Sequence, residues 1–279
     1  MKAKLIMSIL QMAGMIVLFL ALYGVFLVSC ERRIIYHPHK YPEGNWNSSS
    51  SSVSREDVHF TASDGVRLHG WYIPSAGAKA TLLWFHGNAG NITHRLGNIE
   101  MLKPLNLNIF IFDYRGYGKS EGEPDEKGIY SDSQAAYDWL VKVKNILPGE
   151  IILFGRSLGG ICAVEVASGN SAAGLILESV FPSAGKMAEK IFPVLPLGGA
   201  IKSRFDAISK VPDLKLPKLF IHGTQDEIVP YKLGRELFSV AADPKEFYDI
   251  QEAGHNDTFL IGGAGYFNAL GQFIKKVVS

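Results

Sequence analysis

The chain has 279 residues, 47% hydrophobic and 20% charged, which leaves room for one large α/β domain or two small ones. With 28 Lys+Arg against 27 Asp+Glu and no basic block, no nucleic-acid partner is expected. Cys30 and Cys162 stand far apart, His37 and His39 fall in a polar linker, and no Cys/His cluster has zinc spacing. Neither a structural disulfide nor a metal site is expected.

The first predicted element is a membrane segment over residues 5–30. These 26 residues carry no charge. As a helix they would span roughly 39 Å, against a hydrocarbon core of about 30 Å. The run exceeds the roughly 7–15 residues of a cleaved signal's apolar core. An uncleaved signal anchor is therefore favoured over a lipoprotein signal, in which Cys30 of "LVSC" would be lipidated. Lys2 and Lys4 on the short tail favour the tail inside and the remainder on the outer or periplasmic side. Residues 31–56 end in "NWNSSSSSVSRED" and read as a flexible tether.

One domain is expected over residues 57–279. "VHFTASDGVRLHGWYI" reads as two strands around the Asp64–Gly65 turn. Buried-type strands follow in "ATLLWFHG", "LNIFIFDYRG", "EIILFGRS" and "AGLILES", then in "PKLFIHGTQDEIVP" and "KEFYDIQEAGHND". Helical patterns lie between them, notably over 130–143 and 158–167, with a last helix over 264–278. Apolar strands alternating with helices predict a mostly parallel sheet covered on both faces, with the hairpin in front. Residues 180–216 break the alternation with prolines and an apolar "IFPVLPLGGAI". They read as a short cap insertion over the carboxyl ends of the strands, where ligands bind in such sheets.

The candidate chemistry centres on "IILFGRSLGGICAVEVA", where Ser157 sits between Gly155 and Gly159 as strand gives way to helix. A serine hydroxyl needs a base within reach, and the base needs a carboxylate to orient it. Asp226 in "HGTQDEIVP" lies just past an apolar strand, and His255 in "EAGHND" lies just past the final strand. The N–H of Leu158 opens the helix after Ser157 and suits an oxyanion. A second donor is expected from the loop in "FHGNAG", at the N–H of Asn88. Glu178 in "LES" is a rival acid, expected instead to make buried hydrogen bonds near the site. His86 and His222 are read as loop-pinning histidines, Asp113 and Arg115 as a turn with an ion pair, and Cys162 as a small buried residue. Arg156 is read as solvated or paired within the protein rather than as a contact to an acidic substrate group. Of the sequons at Asn47, Asn91 and Asn256, the last two would lie beside the site, which argues against their use.

The pieces "HGNAGN", "FDYRGYGKSEG", "FGRSLGG", "LES", "IHGTQDEIVP" and "GHND" occur in this order over about residues 53–279, with "RRIIYHP" following the apolar segment. Together they resemble the membrane-anchored α/β-hydrolase-domain proteins related to the serine aminopeptidase branch. The resemblance implies the α/β-hydrolase fold, with Ser157 as nucleophile, Asp226 as acid and His255 as base. It implies Asn88 and Leu158 as oxyanion donors, and no metal or organic cofactor. The expected function is a monomeric, membrane-tethered serine hydrolase acting on the ester or thioester bond of a small or lipidic acyl substrate. An aminopeptidase-like activity is the alternative. It needs carboxylates to hold a free amine, and the insertion offers Glu189 and Asp206. A non-catalytic binding module is the reading from another class, and the intact triad argues against it.

Overall fold

In the computed structural model, which describes residues 2–47, 53–193 and 201–278, the apolar runs pair into one eight-stranded sheet. Its strands are β1 (Glu56–Thr61), β2 (Arg67–Ile73), β3 (Thr81–Phe85), β4 (Asn108–Asp113), β5 (Ile151–Arg156), β6 (Gly174–Glu178), β7 (Lys218–Gly223) and β8 (Lys245–Ile250). The spatial order is β8-β7-β6-β5-β3-β4-β2-β1. β1 and β2 run antiparallel at one edge, and the other strands are parallel.

Burial on both faces explains why the inner strands β3, β4, β5 and β6 are apolar almost without a break, whereas the edge strands β1 and β8 are partly exposed. Leu83 and Phe85 of β3 point into one core with Phe110, Phe112 and Leu153. Leu82 and Trp84 point into the other with Ile109, Ile111 and Phe154. The period-two alternation of a strand thus feeds two cores at once. Helices α4 (Glu126–Lys142), α5 (Leu158–Gly169) and α7 (Tyr231–Val240) cover the first face, and α3 (Leu96–Leu102) and α8 (Thr258–Val277) the second. The final helix starts six residues earlier than its expected start at 264, because a backbone break at Gly263 (φ 46°, ψ −134°) lies inside it. Between β6 and β7 the chain forms α6 (Ala184–Ile191) and no strand among its described residues; 194–200 lie outside them.

Helix α1 (Lys2–Ser29) is by length and composition sufficient to cross a membrane, and most of its apolar side chains are exposed. Residues 31–47 depart from the expected flexible tether. They form α2 (Glu31–Ile35), bury Tyr36 edge-to-face with Phe205 at 6.3 Å, and pair His37 and Pro38 in parallel with Ala89 and Gly90. A buried tyrosine removes about 150–250 Å² from water, roughly 4–6 kcal/mol, enough to offset the ordering of a few residues. The serine run at 48–52 lies outside the described residues.

Candidate active site

Chain order reverses beside β3: β4 lies on one side of it and β5 on the other. Ligands bind at such a switch point, outside the carboxyl ends of the strands. The register Phe85↔Gly155 brings the loop after β3 next to the turn after β5. Those loops carry Asn88 and Ser157.

Ser157 is held at φ 53°, ψ −124°, a left-handed conformation that an L residue keeps only when its surroundings enforce it. The neighbouring glycines make that conformation possible. A Cβ on Gly155 would lie 2.4 Å from the carbonyl oxygen of Gly159, and one on Gly159 would lie 2.0 Å from that of Phe85. The Ser157 N–H is tied to the carbonyl of Glu178 at 2.9 Å, so β6 fixes the turn from the side.

Asp226 and His255 meet at the ends of β7 and β8. His255 Nδ1 donates to Asp226 Oδ2 at 2.8 Å. A carboxylate only accepts, so in the neutral imidazole the proton sits on Nδ1 and Nε2 carries the lone pair, the tautomer a general base requires. Asp226 Oδ1 accepts from the N–H groups of Ile228 (3.0 Å) and Val229 (2.7 Å), and His222 Nε2 lies 3.3 Å from Oδ2. Burial alone would raise this carboxyl; the hydrogen bonds from His222 and His255 outweigh it and hold the group well below the carboxylate range. His222 is therefore more than a loop pin, although it also donates to the carbonyl of Val229 at 2.8 Å. Among the described residues no hydrogen bond joins Ser157 Oγ to His255. Such contacts commonly close only around substrate.

The two residues expected to supply oxyanion donors line the same cavity as Ser157. Leu158 is the first residue of α5, so its N–H has no partner within the helix. The Asn88 carbonyl accepts from Tyr117 Oη at 2.7 Å and from the His37 N–H at 3.0 Å, and Asn88 Nδ2 donates to the Ile35 carbonyl at 2.7 Å. The segment after α1 thus orients the loop that carries one of the donors.

Arg156, which the sequence left without a role, clamps the histidine loop. Its guanidinium donates to the main-chain carbonyl of His255 and, at 3.0 Å, to Asn256 Oδ1. From the other side the His255 N–H donates to Glu227 Oε2 at 3.2 Å. Glu178, the rival acid, is occupied: Thr258 Oγ1 and Tyr266 Oη donate to its two oxygens at 2.6 and 2.7 Å, with Arg156 Nε at 3.4 Å. Asp113 and Arg115 do not pair. Arg115 makes its ion pairs with Asp64 and Asp132, at 2.7 and 2.8 Å, because the turn after β4 swings it away. Asp113 instead accepts from the Ile92 N–H at 2.9 Å and lies 3.7 Å from His86 Nε2. That spacing suits an ion pair, but both groups are fully buried, and burial drives both neutral: His86 down to about 3 and Asp113 up to about 8. Cys162 is fully buried, its thiol pushed up to about 12 by burial, and so is Asn91, which donates to the carbonyls of His39 and Glu43.

Ser157, Leu158 and Asn88 open onto a cavity of about 280 Å³ whose remaining wall is almost wholly apolar. A larger depression of about 480 Å³ lies at the far end of α5 from Ser157 and touches none of the candidate residues.

Residues 76–205 match the family model described as serine aminopeptidase, S33. The α/β-hydrolase domain-containing protein WAV2 of Arabidopsis thaliana is 36% identical, the match covering 90% of this chain and 89% of WAV2. The protein bem46 of Schizosaccharomyces pombe is 35% identical over 97% and 95% of the two chains. Among solved structures, the Pyrococcus furiosus esterase Pf2001 superposes with a TM-score of 0.71 at 25% identity, over 87% of this chain and 100% of the esterase.

Proposed function

Because the chain belongs to the α/β-hydrolase-domain family and residues 76–205 match the serine aminopeptidase, S33 model, we propose that it is a membrane-tethered serine hydrolase of carboxylic esters or thioesters. The reading rests on one convergence: a left-handed Ser157 on the wall of an apolar cavity, with the Asp226–His255 hydrogen bond at the neighbouring strand ends. His255 Nε2 takes the Ser157 proton as Oγ attacks the acyl carbonyl. The resulting oxyanion rests on the N–H groups of Leu158 and Asn88. Collapse expels the leaving group, which takes the proton from His255. A water deprotonated by His255 then attacks the acyl-enzyme, and Ser157 recovers its proton.

An ester is favoured over a peptide. A peptidase that removes terminal residues needs a free carboxylate for the substrate amine, and neither Glu189 nor Asp206 lines the cavity. Glu31 does, but its two oxygens accept from the N–H groups of Lys202 and Ser203, each at 2.7 Å. The likeness to an esterase supports the same choice.

The proposed tether is α1 left uncleaved, its basic tail inside and the hydrolase on the outer face. Accumulation of an unprocessed form under globomycin would show lipidation at Cys30 instead. The activity is tested with a fluorophosphonate probe. Wild type is expected to be labelled and Ser157→Ala to escape, with kcat on esters lowered about 10⁴–10⁶-fold in the variant. A folded wild type that resists the probe and hydrolyses no ester overturns the reading.

A further inference from the structure

The cavity beside Ser157 is not enclosed by the hydrolase domain alone. Leu27, in the last turn of α1, forms part of its wall, as do Glu31, Ile34 and Ile35 of α2. The wall also takes in Met187, Ala188 and Ile191 of α6, with Phe192 and Ile201. Leu27 and Ala188 pack against each other as the buried pair of a small separate core, with Leu20, Val28 and Phe192 around them. The contact is fastened by charge as well. Buried Glu31 caps the N–H groups of Lys202 and Ser203, and Arg32 donates to the Pro124 carbonyl at 3.0 Å.

Three apolar side chains that line the cavity are also turned to the outside: Ile34 (41% exposed), Ile191 (56%) and Ile228 (48%). Its rim is thus apolar where a water-facing site would carry polar groups. If α1 crosses a bilayer of about 30 Å, its last turn lies at the interface on the domain side, and the rim lies with it. The volume, about 280 Å³, is at the small end of ligand pockets. It suits one chain of medium length and not a diacyl lipid.

We propose that the exit turn of α1 and helix α2 are a wall of the acyl-binding site, which receives the acyl chain of a membrane-resident ester directly from the bilayer surface. The inference rests on the hydrolase reading and specifies its substrate: the anchor is part of the specificity pocket as well as a tether. Leu27 selects chain length as part of the pocket wall, and Ser157, which lines the same pocket, cuts the ester.

The test uses the full chain in detergent micelles and 4-nitrophenyl esters from acetyl to dodecanoyl. Leu27→Trp fills the pocket wall. It is expected to lower the octanoyl-to-acetyl ratio of kcat/KM at least about tenfold, since each excluded methylene forfeits about fourfold. Leu22→Trp, an exposed position of the same helix outside the cavity, is expected to leave the ratio unmoved. An unchanged ratio in Leu27→Trp, or an equal change in Leu22→Trp, overturns the inference while leaving the hydrolase reading intact. A binding arm separates the two ideas. Ser157→Ala, titrated with a non-hydrolysable decanoyl thioether, is expected to bind it, and adding Leu27→Trp is expected to weaken that binding at least tenfold. Binding that weakens in this way, with no ester cleaved by wild type, would keep the pocket and remove the hydrolase reading. Equal binding by both variants removes the pocket.

Discussion

The guanidinium of Arg156 donates to the main-chain carbonyl of His255, tying the last residue of β5 to the loop after β8. Arg156 precedes Ser157, so one residue links the turn of the candidate nucleophile to the backbone of the candidate base. The link sets where the imidazole stands without touching the ring. Hydrogen bonds from a charged donor are worth about 1.5–3 kcal/mol. Arg156→Met is therefore expected to lower kcat on a short ester by roughly 10–150-fold with little change in KM. Fluorophosphonate labelling should slow in parallel, and millimolar guanidinium should restore part of both. Unaltered kcat, or a loss that guanidinium leaves untouched in a protein of normal Tm, would remove the positioning role.

The acid assignment separates two buried carboxylates. Asp226 touches the His255 ring, whereas Glu178 accepts from Thr258 and Tyr266 and only approaches Arg156. Asp226→Asn is expected to cut kcat about 10⁴-fold, because an amide cannot hold Nδ1 protonated and Nε2 free. Glu178→Gln should keep kcat within about tenfold and lower Tm, since an amide replaces one accepting oxygen with a donor that meets the Thr258 or Tyr266 hydroxyl. The reverse pattern would assign the acid to Glu178.

What the chain reveals by itself, and what it hides, follows from the range of the contacts. Ser157, Asp226 and His255 each follow a strand run legible in the sequence, so local patterning places all three at the carboxyl ends of the strands. The role of residues 31–40 depends on partners far away in sequence. Ile35 and Asn88 are 53 positions apart and joined by a single hydrogen bond. No periodicity marks a segment that makes two-residue pairings, and its polar composition reads as linker. Arg115 misleads in the opposite way. Asp113 is its nearest carboxylate in sequence, yet its partners are Asp64 and Asp132, 51 and 17 positions off. Arg156 is hidden because its target is a backbone carbonyl, which leaves no mark on residue types.

The elbow glycines set two effects of known size against each other. In a helix Gly→Ala gains about 1 kcal/mol from propensity. At Gly159, the second residue of α5, the new methyl would sit 2.0 and 2.5 Å from the carbonyl oxygens of Phe85 and His86. Backbone on both sides cannot retreat without breaking the β3–β5 register. Gly159→Ala is expected to cost several kcal/mol and to abolish probe labelling. At Gly169, the last residue of α5, a Cβ meets nothing within 4 Å. Gly169→Ala should be neutral or raise Tm slightly. Normal Tm and labelling in Gly159→Ala would show that the turn is looser than its contacts imply.

The His86–Asp113 pair gives a dependence on pH with a definite sign. Burial raises Asp113 to about 8 in the fold from an ordinary 3.8. Between those values the unfolded chain releases a proton that the folded chain keeps. Its contribution is fully present below about 4 and is lost as pH rises through about 8. His86, lowered to about 3 by burial, acts in the opposite direction between about 3 and 6.5, but it is common to wild type and variant and cancels in their difference. Asp113→Asn has no proton to release and can still accept from the Ile92 N–H. Its stability relative to wild type should therefore improve from pH 5 to pH 8 by on the order of a few kcal/mol, at about 1.4 kcal/mol per pKa unit. At about 2–4 °C per kcal/mol for a domain of this size, the shift is measurable as a difference in Tm between the two proteins at each pH. A difference that stays flat, or narrows in favour of wild type, would mean that Asp113 is ionised in the fold and that its pairing with His86 is ionic.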